Sequence, residues 1–141
     1  MHRSDWLLLA ISEGPDKGLS PIQIQKIRLL LKMEAPKHVG PQFYSFIPYN
    51  DGPFSEPIYH DIERLIISDR VRTVAPGRYP LYAITSKGAE DARVLAKNIK
   101  PKARDYVTKV VQWVSRVDFN QLLRSIYAKY PDYATKSIFR Q

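Results

Sequence analysis

Cysteine is absent from this chain of 141 residues, which excludes a disulfide framework and any thiolate metal site. Histidine is scarce as well. His2, His38 and His60 stand apart from one another, without the spacing that sets two imidazoles on one metal ion. No Gly-rich phosphate loop, HExxH motif or Ser/His/Asp order is present, and the adjacent His60 and Asp61 read as neighbours on a helix surface rather than a catalytic dyad. Long apolar runs are lacking too. The stretch Trp6-Leu7-Leu8-Leu9-Ala10-Ile11 is far shorter than the ~20 residues of a membrane-spanning helix, and it follows Asp5 rather than a basic segment. These absences lead to the expectation of a cytoplasmic protein with no catalytic residues, no cofactor, no metal and no membrane contact. Such a chain binds something rather than transforming it.

What is present begins with a hydrophobic content of 44%, ordinary for a chain with a packed core and well above that of disordered segments. The formal net charge is +8 and is unevenly distributed. Residues 1–86 hold 10 Lys+Arg against 9 Asp+Glu, whereas residues 87–141 hold 12 against 5, a net of +7. A field of that sign attracts polyanions, of which nucleic acid is the commonest inside cells; the alternative is a set of solvated surface lysines that aid solubility.

The hydrophobic periodicity alternates between helical and strand-like. A first helix is expected from about Asp5 to Glu13, capped by Ser4 or Asp5 and stopped by Gly14-Pro15. With almost no polar face, it belongs in the interior. Ser20, Pro21 and Gln23 mark the start of a second helix running to about Met33. A proline-rich connection from Glu34 to Ser55 contains Phe43-Tyr44-Ser45-Phe46-Ile47, expected as a short strand. Ser55 should cap a third helix reaching about Ser68, with Ile58, Ile62, Leu65 and Ile66 facing the core.

Val71 to Val74 and Tyr79 to Ile84 flank Ala75-Pro76-Gly77-Arg78 and predict a β-hairpin. Thr85 caps a fourth helix to about Asn98. Two amphipathic helices follow Pro101, one lined by Val107, Val110, Val111, Val114 and Val117. The other, capped by Asp118, is lined by Phe119, Leu122, Leu123, Ile126, Tyr127 and Tyr130. The expected fold is mainly α with a small β-hairpin wing, a winged helix-turn-helix over residues 1–98 with a basic helical extension over 99–141. The apolar stripes of that extension either fold back on the core or pair across a homodimer.

Several short segments resemble the YwgA-like and SocA-like (Panacea) group. Gln25-Lys26-Ile27 looks like its second-helix LQK motif, and Phe46 to Ser55 is similar to its F-x-x-Y-x-x-GP-[FY]-S segment. Tyr59 to Leu65 resembles its L-x-x-D-l-x-x-L helix, and Tyr82 to Gly88 its Y-x-l-T-x-x-G hairpin exit. The resemblance covers roughly residues 5–90 and implies a phage- or prophage-associated, antitoxin-like or regulatory protein. The basic helical extension departs from the group's pattern.

Candidate nucleic-acid contacts follow from charge and position. Ser55 and the exposed backbone at its helix start could meet a phosphate, although the same residues serve as ordinary helix-start devices. Tyr59, His60 and Arg64 lie on the outward face of the third helix, the reading helix of the usual docking mode. From Glu56 to Arg70, four acids (Glu56, Asp61, Glu63, Asp69) oppose two arginines, which argues against insertion into the major groove. Arg72, Arg78 and Lys87 belong to the wing and its exit, and Lys97, Lys100, Lys102 and Arg104 straddle the Pro101 break. Their alternative is a set of edge and surface charges. The expected partner is duplex DNA, with a protein partner as the second reading.

Overall fold

A computed structural model of the chain describes residues 1–40, 46, 55–74 and 80–134. The described residues form a mainly helical fold with a two-stranded antiparallel hairpin. The order is α1 (Arg3–Ser12), α2 (Pro21–Glu34), α3 (Pro36–Val39), α4 (Pro57–Ile67), β1 (Val71–Val74), β2 (Leu81–Ile84), α5 (Ser86–Lys97), α6 (Pro101–Arg116), α7 (Phe119–Lys129) and a 3₁₀ turn at Pro131–Ala134.

The first helix is central because its sequence offers no polar stripe to solvent. Trp6 through Ile11 are all buried, and α1 packs against α2, α4, α5, α6 and β2. It starts two residues earlier than expected. His2 is the cap: its Nδ1 accepts from Ser4 N at 3.1 Å, while the Asp5 carboxylate accepts from His2 N at 2.9 Å. The second start signal is realised as read, with Gln23 N donating to Ser20 Oγ and Ser20 N to the Gln23 side chain.

Between α1 and α2 the chain touches the sheet. Leu19 bridges Tyr82 of β2, with both N···O distances at 2.8 Å. Gly18, at φ +95°, makes that approach possible, because a Cβ there would stand 2.9 Å from the Tyr82 carbonyl oxygen. The hairpin pairs Val71 with Ile84 and Val74 with Leu81, so its register places Arg72 opposite Ala83.

Both C-terminal helices bury their stripes within this one chain. Val107, Val110, Val111 and Val114 of α6, and Leu122, Leu123, Ile126 and Tyr127 of α7, are buried in the same core cluster as α1 and α2. α6 lies along α2. Their burial needs no second copy.

Two local expectations are corrected. Ser55 does not cap the third helix: α4 begins at Pro57 behind Glu56, which has helical dihedrals and makes no side-chain cap bond. The short helix α3 was not anticipated. The expected strand from Phe43 to Ile47 lies outside the described residues except for Phe46, which is buried. The hairpin tip, including Arg78, lies outside the described residues.

Candidate nucleic-acid interface

The candidate interface is built on three elements: α4, the hairpin with its exit, and the α5–α6 junction. The entrance to α4 is held from α2. Gln25, itself buried, donates its amide N–H to the Ser55 carbonyl and accepts from Ser55 N, both at 2.9 Å. Two segments that stood apart in the sequence therefore meet through a two-point clamp. Ser55 is 2% exposed and its hydroxyl is closed off from any phosphate in this conformation. Lys26 and Arg28 of α2 are also buried, at 2% and 0% exposure, and each has a partner. Those two cations add nothing to the surface field.

The outward face of α4 presents Glu56, His60, Glu63, Arg64 and Ile67, with Tyr59 half-buried beside them. Asp61 does not belong to it. Its carboxylate is 1% exposed and accepts from Arg3 Nε at 3.0 Å, tying α4 to α1. The helix is therefore less acidic toward solvent than its composition implies. Glu63 faces the sheet closely enough that, together with burial as the larger cause, its charge raises the Tyr82 phenol above its ordinary value.

The hairpin exit is locked onto the end of α4. Thr85 N donates to the Arg70 carbonyl at 3.1 Å, and Thr85 Oγ1 donates to the Asp69 carbonyl at 2.6 Å while accepting from Gly88 N at 3.0 Å. Gly88 lies against Arg70, whose carbonyl oxygen would sit 2.0 Å from a Cβ at that position. Lys87 Nζ donates to the Ser68 carbonyl at 3.2 Å, and Arg70 pairs with Asp91 of α5. Arg72, on β1, is exposed above this knot.

Lys97 lies about 15 Å along α5 from Lys87 at the usual helical rise. There the chain turns through Asn98 and Ile99 into α6. Lys100 caps α6 without a side-chain hydrogen bond, and Lys97, Lys100, Lys102 and Arg104 are all exposed. A cleft of about 410 Å³ opens at this junction, bordered by Lys100, Ala103 and Trp6 and, from α3, by Lys37 and His38. The sequence reading missed Lys37 and His38. Their one visible signal was Pro36, a residue suited to the first position of a helix.

The exposed cations at the hairpin exit and the α5–α6 junction form two groups, Arg72 with Lys87 at one end of α5, and Lys97, Lys100, Lys102 and Arg104 with Lys37 at the other; Lys17, Arg64, Arg93, Lys109, Arg116, Arg124 and Lys129 are exposed outside them. The ion pairs among the described residues tie Arg3, Arg70 and Lys129, and none of the two groups is in them. Among the described residues there is no cluster of three or more side chains suited to a metal ion, and no helix long and apolar enough to cross a membrane. No protein-family model matches the chain, and no curated protein matches it.

Proposed function

We propose that the protein is a winged-helix DNA-binding regulator that holds duplex DNA by its phosphates. The cations at the two ends of α5 supply the charge, and no catalytic step is involved. The observation that carries this reading is their combination of exposure with freedom from carboxylate partners, while Lys26, Arg28 and Arg3 of the N-terminal half are buried or paired. Unneutralised surface cations displace condensed counterions from a duplex, and that release drives sequence-independent affinity. The topology supports the winged-helix part of the reading. α1, the bridging residue Leu19, α2, α4 and the hairpin follow in the order of that fold, with the short α3 inserted before α4, and the bridge adds a third chain segment to the small sheet. The likeness to the Panacea group and a cytoplasmic setting belong to the same proposal.

A salt titration tests it. Binding to a duplex should weaken steeply between about 50 and 200 mM salt, with a log–log slope of roughly −0.9 for each phosphate neutralised. Absence of binding to any duplex at low salt would overturn the reading.

A protein partner is the second reading, favoured by Ile67. That side chain is 84% exposed at the end of α4's outward face, flanked by Glu63 and Arg64. A mixed acidic and apolar helix face suits a protein surface better than a phosphate backbone.

A further inference from the structure

A second concave site lies on α2, α6 and α7, away from the cations discussed above. It is a pocket of about 280 Å³, at the small end of the range that small organic ligands occupy. We propose that it binds a small aromatic carboxylate. Leu30, Val110, Trp113 and Ile126 supply apolar walls, with the Trp113 ring available for stacking. The polar groups around those walls decide the sign of the ligand. Glu34 is the one carboxylate in the lining, and its Oε1 is already engaged: it accepts from Lys129 Nζ and, at 2.8 Å, from the Tyr130 hydroxyl.

Lys109 and the Tyr106 hydroxyl have no hydrogen bond or ion pair among the described residues. The lining therefore carries two lysines against one carboxylate, a net positive charge, with Lys109 and the Tyr106 hydroxyl as its spare donors. Burial, with the Glu34 charge adding to it, pushes the Tyr106 phenol up to about 12, so it stays a donor at neutral pH. A ligand carboxylate fits Lys109 and Tyr106 while its ring lies between the apolar walls. An aromatic amine of the same shape meets two ammonium groups and a single carboxylate whose charge Lys129 already offsets.

Calorimetric titration of the full chain with 2-naphthoate tests this, with 2-naphthylmethylamine as the cation of like shape. The carboxylate should bind at one site per chain, about tenfold or more tighter than the amine, the margin expected of one charge-assisted hydrogen bond. Lys109→Gln should remove most of that margin, and Ile126→Trp should abolish binding by filling the pocket. Should Ile126→Trp fail to fold, Lys109→Gln still decides, because Lys109 is exposed and outside the core. The proposal is overturned if the amine binds as tightly, if Lys109→Gln leaves naphthoate binding unchanged, or if millimolar naphthoate gives no binding heat. It is also overturned if sedimentation shows a dimer that Trp113→Ala disperses, since a second copy would then fill the site. No DNA enters these measurements, so the nucleic-acid reading can fail without affecting the result.

Discussion

At Gly88 a single hydrogen atom separates a tight joint from a clash. The first turn of α5 presses on the Arg70 carbonyl, and an added Cβ would lie 2.0 Å from that oxygen, which is backbone and cannot give way as the nearby Ile84 Cδ1 tip could. Gly88→Ala should destabilise the protein by about 2 kcal/mol or more, at the upper part of the range for overpacking, read as a lower thermal midpoint. An unchanged midpoint would mean that the first turn of α5 is not seated on Arg70 as described. Gln25 makes a comparable case from the polar side. Gln25→Leu would leave the buried Ser55 N–H without a partner, at about 1–3 kcal/mol, and its carbonyl with only the 3.3 Å bond from Ile58 N. An unfolding free energy in urea lowered by that amount is the expected result, and a neutral effect would show that water reaches Ser55. The sequence made both residues visible within short patterns, but their reasons are tertiary. Arg70 lies well before Gly88 in the chain, and Ser55 is 30 positions from Gln25. Asp61 was misjudged for the same reason. Its partner Arg3 is 58 positions away, so composition counted as outward an acid that the fold turns inward.

Element by element, legibility follows the range of the forces involved. The caps Ser20, Thr85 and Asp118 and the stripes of α4, α6 and α7 were readable because capping and amphipathicity act within one or two turns. Where the stripes of α6 and α7 would dock was not, since one stripe is compatible with either a core or a dimer. The structure docks α6 on α2 and ties the end of α7 to α2 through Glu34, and truncation tests this. Ending the chain after Ile99 removes nine buried side chains of α6 and α7 and uncovers the α2 face beneath. At about 1.5–3 kcal/mol for each large apolar side chain buried, the loss rivals the whole stability of a typical domain, about 5–15 kcal/mol. The truncated chain should aggregate or unfold without cooperativity. A soluble, monomeric product with a cooperative transition would show the two helices to be dispensable.

The Glu34 cluster at the α2–α7 contact adds a dependence on pH. The Lys129 ammonium bonded to Glu34 holds its carboxyl below the ordinary value of 4.5, partial burial opposes that, and the Tyr130 hydroxyl assists. Because the folded value is the lower one, this contact's contribution is fully present above about pH 4.5 and is lost as pH falls through the folded value. The thermal midpoints of the wild type and Glu34→Gln should therefore differ at neutral pH and converge in acid. A gap that stays constant would place the stabilisation elsewhere.

For the molecule as a whole, the decisive feature is where charge survives folding. Formal charge already placed the excess in residues 87–141, but it could not say that Lys26, Arg28 and Asp61 would be withdrawn from the surface. Folding therefore sharpens the asymmetry that the sequence suggested. The N-terminal half turns Arg3 inward to a carboxylate, whereas Lys97, Lys100, Lys102 and Arg104 remain open around the α5–α6 junction, joined by Lys37. If the duplex is held there and at Arg72 by phosphates, the effect of a substitution should depend on the charge it removes and little on the DNA sequence offered. Lys100→Gln with Lys102→Gln should weaken binding to unrelated duplexes alike and reduce the log–log salt slope by about two units. His60→Ala and Arg64→Ala alter only exposed side chains of α4, so the fold should tolerate both, and binding should change less than with the lysine pair. The opposite pattern is equally readable. If Arg64→Ala abolishes binding to one sequence while the lysine pair barely matters, α4 reads bases from the major groove despite Glu56 and Glu63, and the phosphate account of the interface is wrong.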